Sequence, residues 1–567
     1  MTQPPDPQFG PWAPGLSSTI PAHLMPRVTL FDPANGSVTW AEAKSLSDTI
    51  SLKPQDLAVF RPDRLALHHV LIRVTAQLHV PDGPNYADFG LSLREMARVI
   101  FEGHVTPELP RIKAAFDALR DKADDFIAAE LDRWLAEPPA PEKTGLLKSL
   151  FGRGAQPAPV TTREDRAFAA LEFWSKGQKP DDALTQSCTK ALARCVGAIL
   201  SKRGAMLVAP DMITRIATNL VLNDQGDAEV GQLVADIFDK AVEQEGYYRL
   251  PAQTEPVVLN AKGASASGKS TIRLQQRQIA ETLGIDWQDF AVISPDYWRK
   301  QLLDYDSLGD DFKYAAMLTG QELELIDRKL DRLMAANAVA GHVPHMLIDR
   351  FRFDSFQPMS ERPADSNLLT RIGAKIYMFF MVTPPSETVE RAWLRGISTG
   401  RYKAVDDLLY HNIEAYSGMP DLFFAWALAR DKSVHYEFLD NSVPYGEVPR
   451  TIAFGQNGSL VIVDIDKFCD IDRFRHVNVD ATSAKEILTA PATGGATVFL
   501  KRCCDLLPRV DFVQKGSDRI CATATKGQGL VTLQNPCPIL QSLFTDVETA
   551  DDLGIIDSDL RKDTIGS

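Results

Sequence analysis

The sequence predicts an α/β protein: a parallel sheet built around one phosphate-binding loop (P-loop), preceded by a mostly helical N-terminal region and followed by a small β-containing C-terminal domain. Three observations carry this. Residues 263–270, Gly-Ala-Ser-Ala-Ser-Gly-Lys-Ser, fit the G-x-x-x-x-G-K-[ST] pattern. The apolar run Val257, Val258 and Leu259 precedes the loop, and Ile272, Gln275, Gln276, Ile279 and Leu283 follow at helical spacing that stops at Gly284. Downstream, the stretches 345–349 and 375–382 are apolar runs; the second is continuous, as strands buried on both faces should be.

At 567 residues the chain exceeds one ordinary core, so several domains are expected. Composition places an α+β and helical region at 1–135, a proline-rich linker at 136–163, a helical segment at 164–249, the P-loop domain at 250–445 and the small C-terminal domain at 446–567. A formal charge of −14 argues against a chain built mainly to wrap nucleic acid or coat anionic membrane. The start, MTQPPDPQFGPWAPG, lacks a basic region followed by an apolar one, and no apolar run is long enough to span a bilayer. A cytoplasmic protein with no membrane span is the expectation. The seven cysteines show no paired C-x-x-C spacing, so neither a disulfide framework nor a structural zinc site is expected.

Taken in order, the first 25 or so residues are proline-rich and read as loosely draped. From Arg27 to Val80, runs such as VTLF, LAVF and HHVLIRVTAQLHV suggest a small α+β region. Adjacent His68 and His69 on a strand would face opposite ways, one buried and one exposed, with packing favoured over catalysis. Phe116, Leu119, Phe126, Ile127, Leu131 and Leu135 recur at helical intervals. The linker carries a short basic patch, GLLKSLFGRG, too brief to bind a membrane strongly alone. The helical segment beyond it has a stripe of Leu192, Cys195, Val196, Ile199 and Leu200 and no evident chemistry.

The chemistry concentrates after Pro256. Gly263 and Gly268 let the backbone turn and present successive N–H groups to phosphate oxygens, so Gly263, Ala264, Ser265, Ala266, Ser267, Gly268, Lys269, Ser270 and Thr271 form the expected ATP cradle. Lys269 is expected at the β- and γ-phosphates and Ser270 on Mg²⁺. The run FAVIS ends in Pro295-Asp296, which puts a carboxylate at the strand edge where α/β sheets bind ligands. Asp296 is the candidate base for a substrate hydroxyl, with helix capping as its structural alternative, and Arg299 is a candidate partner for a substrate phosphate. Asp349, ending the next strand, is a second candidate Mg²⁺ ligand. Arg391 and Arg395 share one side of a helix, and Gly396 and Gly400 flank a turn presenting Arg401. These arginines read as a lid that closes on the transferring phosphoryl group.

This order of loop, Asp-x-x-Arg after the next strand, acidic strand end and arginine-rich lid resembles the zeta toxin family of P-loop kinases over residues 255–442. That family is similar in turn to chloramphenicol phosphotransferases and polynucleotide kinases. The resemblance implies that Lys269 binds ATP phosphates, that Asp296 is the general base, and that Arg391, Arg395 or Arg401 contacts phosphate. It implies an acceptor such as UDP-N-acetylglucosamine or NAD, and leaves room for an antitoxin-like or regulatory protein partner. The segment Asp349-Arg350-Phe351-Arg352-Phe353-Asp354 departs from the family pattern, and Arg350 is expected to reshape the acceptor pocket.

An ATP- and Mg²⁺-dependent kinase acting on a small-molecule hydroxyl is the first expectation. A polynucleotide 5′-hydroxyl kinase, with nucleic acid as acceptor only, would need a basic groove, for which Arg350, Arg352, Arg362 and Arg371 are candidates. A nucleotide-switched binding module would need no base. In the tail, Leu460-Val-Ile-Val-Asp464-Ile-Asp466 looks superficially like a phosphatase start, but the bulky KFCDIDRF after it favours a structural role.

Overall fold

The computed structural model describes residues 9–83, 86–135, 162–176, 182–350, 368–444, 447–489, 497–514, 516, 519–527 and 529–532. The chain divides into two compact units. One comprises 1–20, 72–96 and 247–567; the other comprises 21–71 and 97–246. The basic patch at 145–154, the segment from Phe351 to Asp354, Arg362 and Cys537 lie outside the described residues.

The first unit is organised by a mixed ten-stranded sheet of order β10-β9-β8-β7-β6-β5-β4-β1-β3-β2. Its strands are β1 (Val257–Lys262), β2 (Phe290–Ile293), β3 (His345–Asp349), β4 (Lys375–Val382), β5 (Ser433–Asp440), β6 (Arg450–Gln456), β7 (Ser459–Ile462), β8 (Arg509–Val513), β9 (Ile520–Thr525) and β10 (Gly529–Thr532). β2, β3, β1, β4 and β5 run parallel, with β1 central and every β1 residue buried. Their apolar sequences fit because helices cover both faces of such a sheet. The chain leaves β1 for β2 on one side and later crosses to β4 on the other. The carboxyl end of β1 is therefore a topological switch point, the place where open α/β sheets bind ligands.

The helices of the molecule are α1 (Trp40–Ile50), α2 (Pro62–Gln77), α3 (Tyr86–Ile100), α4 (Leu109–Leu135), α5 (Arg163–Lys176), α6 (Ala183–Arg203), α7 (Pro210–Val221), α8 (Asp227–Glu245), α9 (Arg273–Thr282), α10 (Arg299–Leu302), α11 (Ala315–Leu318), α12 (Gly320–Val339), α13 (Leu368–Ile372), α14 (Pro385–Thr399), α15 (Val405–Ala427), α16 (Ile465–Arg473) and α17 (Val498–Leu506). Among the described residues no helix is long and apolar enough to cross a membrane.

The tail is not a separate domain. β6 pairs antiparallel with β5, and β7 to β10 extend the same sheet. On one face Phe380 of β4 and Phe438 of β5 stack at 4.8 Å, and Phe423 of α15, Phe468 of α16 and Phe499 of α17 close around them at 5.0–5.9 Å. Each ring buries about 1.5–3 kcal/mol of apolar transfer energy, so the core and the tail share one hydrophobic interior. Composition hid this because the tail is irregular between its strands. Asp464 caps α16 by accepting from the Lys467 amide at 3.2 Å, which gives it the structural role expected.

Residues 9–20 are docked, not loose. Trp12 Nε1 donates to Glu390 at 3.3 Å, Ser18 Oγ bonds Asp406, and Lys313 Nζ donates to the Pro14 carbonyl at 2.8 Å. Trp12 also packs on a cluster of α14 and α15 residues, Val389, Ala392, Leu408 and Leu409.

The second unit is helical, without the strands expected between 27 and 80. VTLF lies in turns, and HHVLIRVTAQ is the body of α2. β-branched residues raised the strand expectation, but burial around α2 overrides that propensity. His68 and His69 are both buried, neither exposed. His68 packs edge-on against Phe60, and His69 Nε2 lies 3.0 Å from the Asp227 carboxylate. The stripe from Leu192 to Leu200 is buried as its spacing predicts. Cys188, Cys195, Cys469, Cys503 and Cys521 are buried free thiols, and burial pushes those of Cys188, Cys195 and Cys469 up to about 12.

Candidate functional site

The phosphate-binding loop leaves the carboxyl end of β1 and is pinned from beneath by its neighbours. The Ser267 carbonyl accepts from Thr383 Oγ1, just after β4, at 2.9 Å and from Asn441 Nδ2, just after β5, at 2.7 Å. A Cβ on Gly263 would lie 2.8 Å from that of Met381 and 2.6 Å from Ser267 Oγ. Gly268 adopts φ +85°, and a Cβ there would meet Asn441 Nδ2 at 2.1 Å and Arg391 Nη1 at 3.1 Å. Both glycines are needed for the close approach of backbone to neighbours. Ala266 also takes a positive φ, 61°. Lys269 and Thr271 fall in a single 3-10 turn before α9, where Thr271 Oγ1 donates to the Gly268 carbonyl at 2.7 Å.

Gly268→Ala is expected to distort the loop, lower stability by about 1–3 kcal/mol and weaken nucleotide binding about tenfold or more. Equilibrium titration with ATP and denaturant melts check both effects.

Lys269 curls over the loop, donating to Ala264 O at 3.1 Å and Gly263 O at 3.4 Å. Burial lowers its pKa, partly offset by Asp349 and Asp296. Asp349 ends β3 in register with Ala261 of β1, which brings this carboxylate to the loop. Among the described residues the buried Oγ of Ser267 and Oδ1 of Asn441 find no hydrogen-bond partner. The Ser267 hydroxyl could donate to a phosphate oxygen, whereas Asn441 Oδ1, an acceptor, would need a donor. Among the described residues no group of three or more His, Cys, Asp or Glu side chains suits a metal ion.

Asp296 follows β2 inside a 3-10 turn and caps no helix. Its carboxylate binds Arg299 Nε at 2.9 Å through one oxygen and the Arg401 guanidinium through the other. Burial opposes ionisation, but Arg401, Arg299 and Arg395 together outweigh it and hold the carboxyl well below the ordinary carboxylate range. The Asp296 side chain keeps 34% of its exposure.

The predicted arginines divide into different jobs. Arg401 and Arg395 lie in the field of Asp296. Arg391 is buried, and its Nη2 donates to Asn441 O at 2.7 Å and Val443 O at 2.8 Å, so it braces the loop floor instead of swinging as a lid. Arg299 is committed to Asp296 and to Thr319 Oγ1 at 2.9 Å, which orients the carboxylate. Arg350 is withdrawn altogether. It is 7% exposed and bonds Asp331 at 2.8 Å and Asp327 at 3.3 Å, both on α12. A cation next to a strand-end aspartate looks like a ligand-binding group in sequence, and the acidic pair that claims it sits about twenty residues earlier on a helix.

Sequence reasoning missed Tyr305, Lys403 and His411. Burial raises the Tyr305 hydroxyl, which also lies in the fields of Arg299, Arg401 and Asp296. Lys403 Nζ lies 2.7 Å from His411 Nδ1 and 3.2 Å from Asp407. Burial pulls Lys403 down to about 8 against the attraction of Asp407, and burial with the nearby Lys403 and Lys269 charges keeps His411 neutral. No motif marks them; only the fold brings them to the cleft.

No protein-family model, curated protein or solved structure matches the chain.

Proposed function

We propose that the chain is a P-loop kinase of zeta toxin type that transfers the γ-phosphoryl group of Mg·ATP to a hydroxyl of a nucleotide-like small molecule. The observation that carries this reading is Asp296, an ionised carboxylate set among Arg299, Arg401 and Arg395 in the same field as Lys269. A switch module needs the loop but not that carboxylate. Bound Mg·ATP supplies the electrophilic phosphorus and neutralises part of its charge.

In this reading Lys269 and the loop N–H groups hold the phosphates. Asp296 orients the acceptor hydroxyl and takes its proton as the acceptor oxygen bonds the γ-phosphorus and the bond to the β-phosphate oxygen breaks, releasing ADP. With a carboxyl held so acidic, orientation counts for more than basicity, which suits a loose transition state. Arg401 rests on Asp296 in the free protein and transfers to the phosphoryl oxygens, freeing one carboxylate oxygen for the acceptor. A polynucleotide acceptor is disfavoured because Arg350, one of its four candidate arginines, is spent on α12.

The test is transfer from γ-labelled ATP into UDP-N-acetylglucosamine, NAD, nucleosides and a 5′-hydroxyl oligonucleotide. Label in one of the small molecules is expected, and ATP turnover with no labelled acceptor would count against the kinase.

The cleft has a built-in pH response. Lys403 is protonated below about 8 and adds a positive charge beside Asp296 and Arg395. Nucleotide affinity is expected to be flat from pH 6.5 to 7.5 and to fall several-fold as Lys403 loses its proton. Dissociation constants measured to pH 9.5 should lose this step in Lys403→Met.

A further inference from the structure

α3, far from the loop in sequence, brings Arg94 up to the segment after β2, where Lys300 of α10 supplies a second cation. The helix seats on the segment after β2 through Gly90: a Cβ there would lie 2.7 Å from the Tyr297 ring and 3.1 Å from Arg94 Nη1. Phe89 packs on the same ring at 5.0 Å. Arg94, one turn beyond Gly90, thus lays its guanidinium at the contact with the residue that follows Asp296. Lys300 Nζ lies 5.7 Å from the Tyr305 ring centre, and Tyr305 in turn lies 3.4 Å from the Cβ position of Gly400, next to Arg401. Arg94 lies in the electrostatic field of both Lys300 and Tyr305, which links the two groups beside the Asp296–Arg401 pair.

The patch is electrostatically unfinished. Burial lowers Arg94, and burial with the charge of Arg94 lowers Lys300, against the attraction of Asp306. Among the described residues neither cation makes an ion pair, whereas Arg299 and Arg401 both do. Arg94 is half-buried and Lys300 exposed, and a bound anion relieves the repulsion between two such neighbouring like charges.

We infer that Arg94, Lys300 and the Tyr305 hydroxyl form an anion subsite for the acceptor, so that the molecule phosphorylated at Asp296 carries a phosphate or carboxylate group of its own. This rests on the kinase reading for the acceptor's fate, but not for the binding itself. Arg94 and Lys300 take the anionic group, Tyr305 donates its hydroxyl to it, and the acceptor hydroxyl is left facing Asp296. The helix α3 thereby gives the N-terminal part of the chain a direct role in substrate choice.

The test separates binding from transfer. Full-length protein saturated with Mg²⁺ and a non-hydrolysable ATP analogue is titrated calorimetrically with three anions, uridine monophosphate, glucose 6-phosphate and gluconate, and with their neutral counterparts, uridine and glucose. At least one anionic member is expected to bind about thirtyfold or more tighter than its neutral counterpart. That preference should fall about tenfold in Arg94→Gln and in Lys300→Gln, and return in Arg94→Lys. Binding confined to the phosphate compounds identifies a phosphate subsite, and gluconate alone a carboxylate subsite. Equal affinity for charged and neutral members, no binding of any anion, or a preference untouched by both variants would overturn the inference. Anion binding with no label transferred from ATP would leave the subsite standing and remove the kinase.

Discussion

Asp296→Asn is expected to lower phosphoryl transfer by about 10²–10⁴-fold while ATP still binds. The amide keeps the shape of the carboxylate but cannot accept the acceptor proton, and it releases Arg401 and Arg299 from their ion pairs. Loss of anionic charge from a cleft crowded with guanidinium groups should leave ATP affinity equal or tighter. Single-turnover kinetics with γ-labelled ATP, paired with calorimetric ATP binding, separate the two effects. Full function in Asp296→Asn alongside its loss in Lys269→Ala would replace the kinase with a nucleotide switch.

Arg350→Ala is expected to destabilise the sheet-bearing unit by about 3–5 kcal/mol, the largest single-site stability loss predicted here. The cost comes from what remains: Asp327 and Asp331, at most 4% exposed, lose the cation that both of them bond. Replacing all three, Arg350→Met with Asp327→Asn and Asp331→Asn, should recover much of the loss, because the buried charges go together. Urea unfolding followed by tryptophan fluorescence measures both variants. A loss below about 1 kcal/mol in Arg350→Ala would mean that water reaches the pair and screens it.

Much of the parallel core was legible because its signals are local. The loop glycines, the apolar run before them and the FAVIS and 375–382 runs are each decided within a few residues, and the structure has β1, β2 and β4 there; α14 instead continues through Gly396, expected to open a turn, and ends only at Gly400. Asp296 and Asp349 rest on equally local signals: Asp349 ends β3, and Asp296 lies in the short turn just after β2. What sequence could not place are interactions made across the chain. Arg350 belongs to α12 and not to a pocket, Arg391 to the loop floor and not to a lid, and Lys403 and His411 to the cleft only after α15 has packed. The strand expectation for 68–80 failed because β-branched content says nothing about the helical surroundings that bury α2. The tail was assigned to its own domain because pairing between β5 and β6 leaves no mark in composition.

The sheet-bearing unit takes residues from three separate stretches of the chain. Trp298 Nε1 donates to Thr75 Oγ1 at 3.1 Å, and Asp82 receives both Trp287 Nε1 at 3.1 Å and Arg277 at 2.8 Å. Beyond residue 445, β6 covers the open edge of β5. A gene fragment covering only 250–445 would encode the motif but strip it of both supports, leaving the buried Trp298 indole donor unsatisfied and a bare strand edge ready to recruit another chain. During synthesis, likewise, the phosphate loop leaves the ribosome well before β6 to β10 emerge to cover the edge of β5, so that edge stays open until they follow.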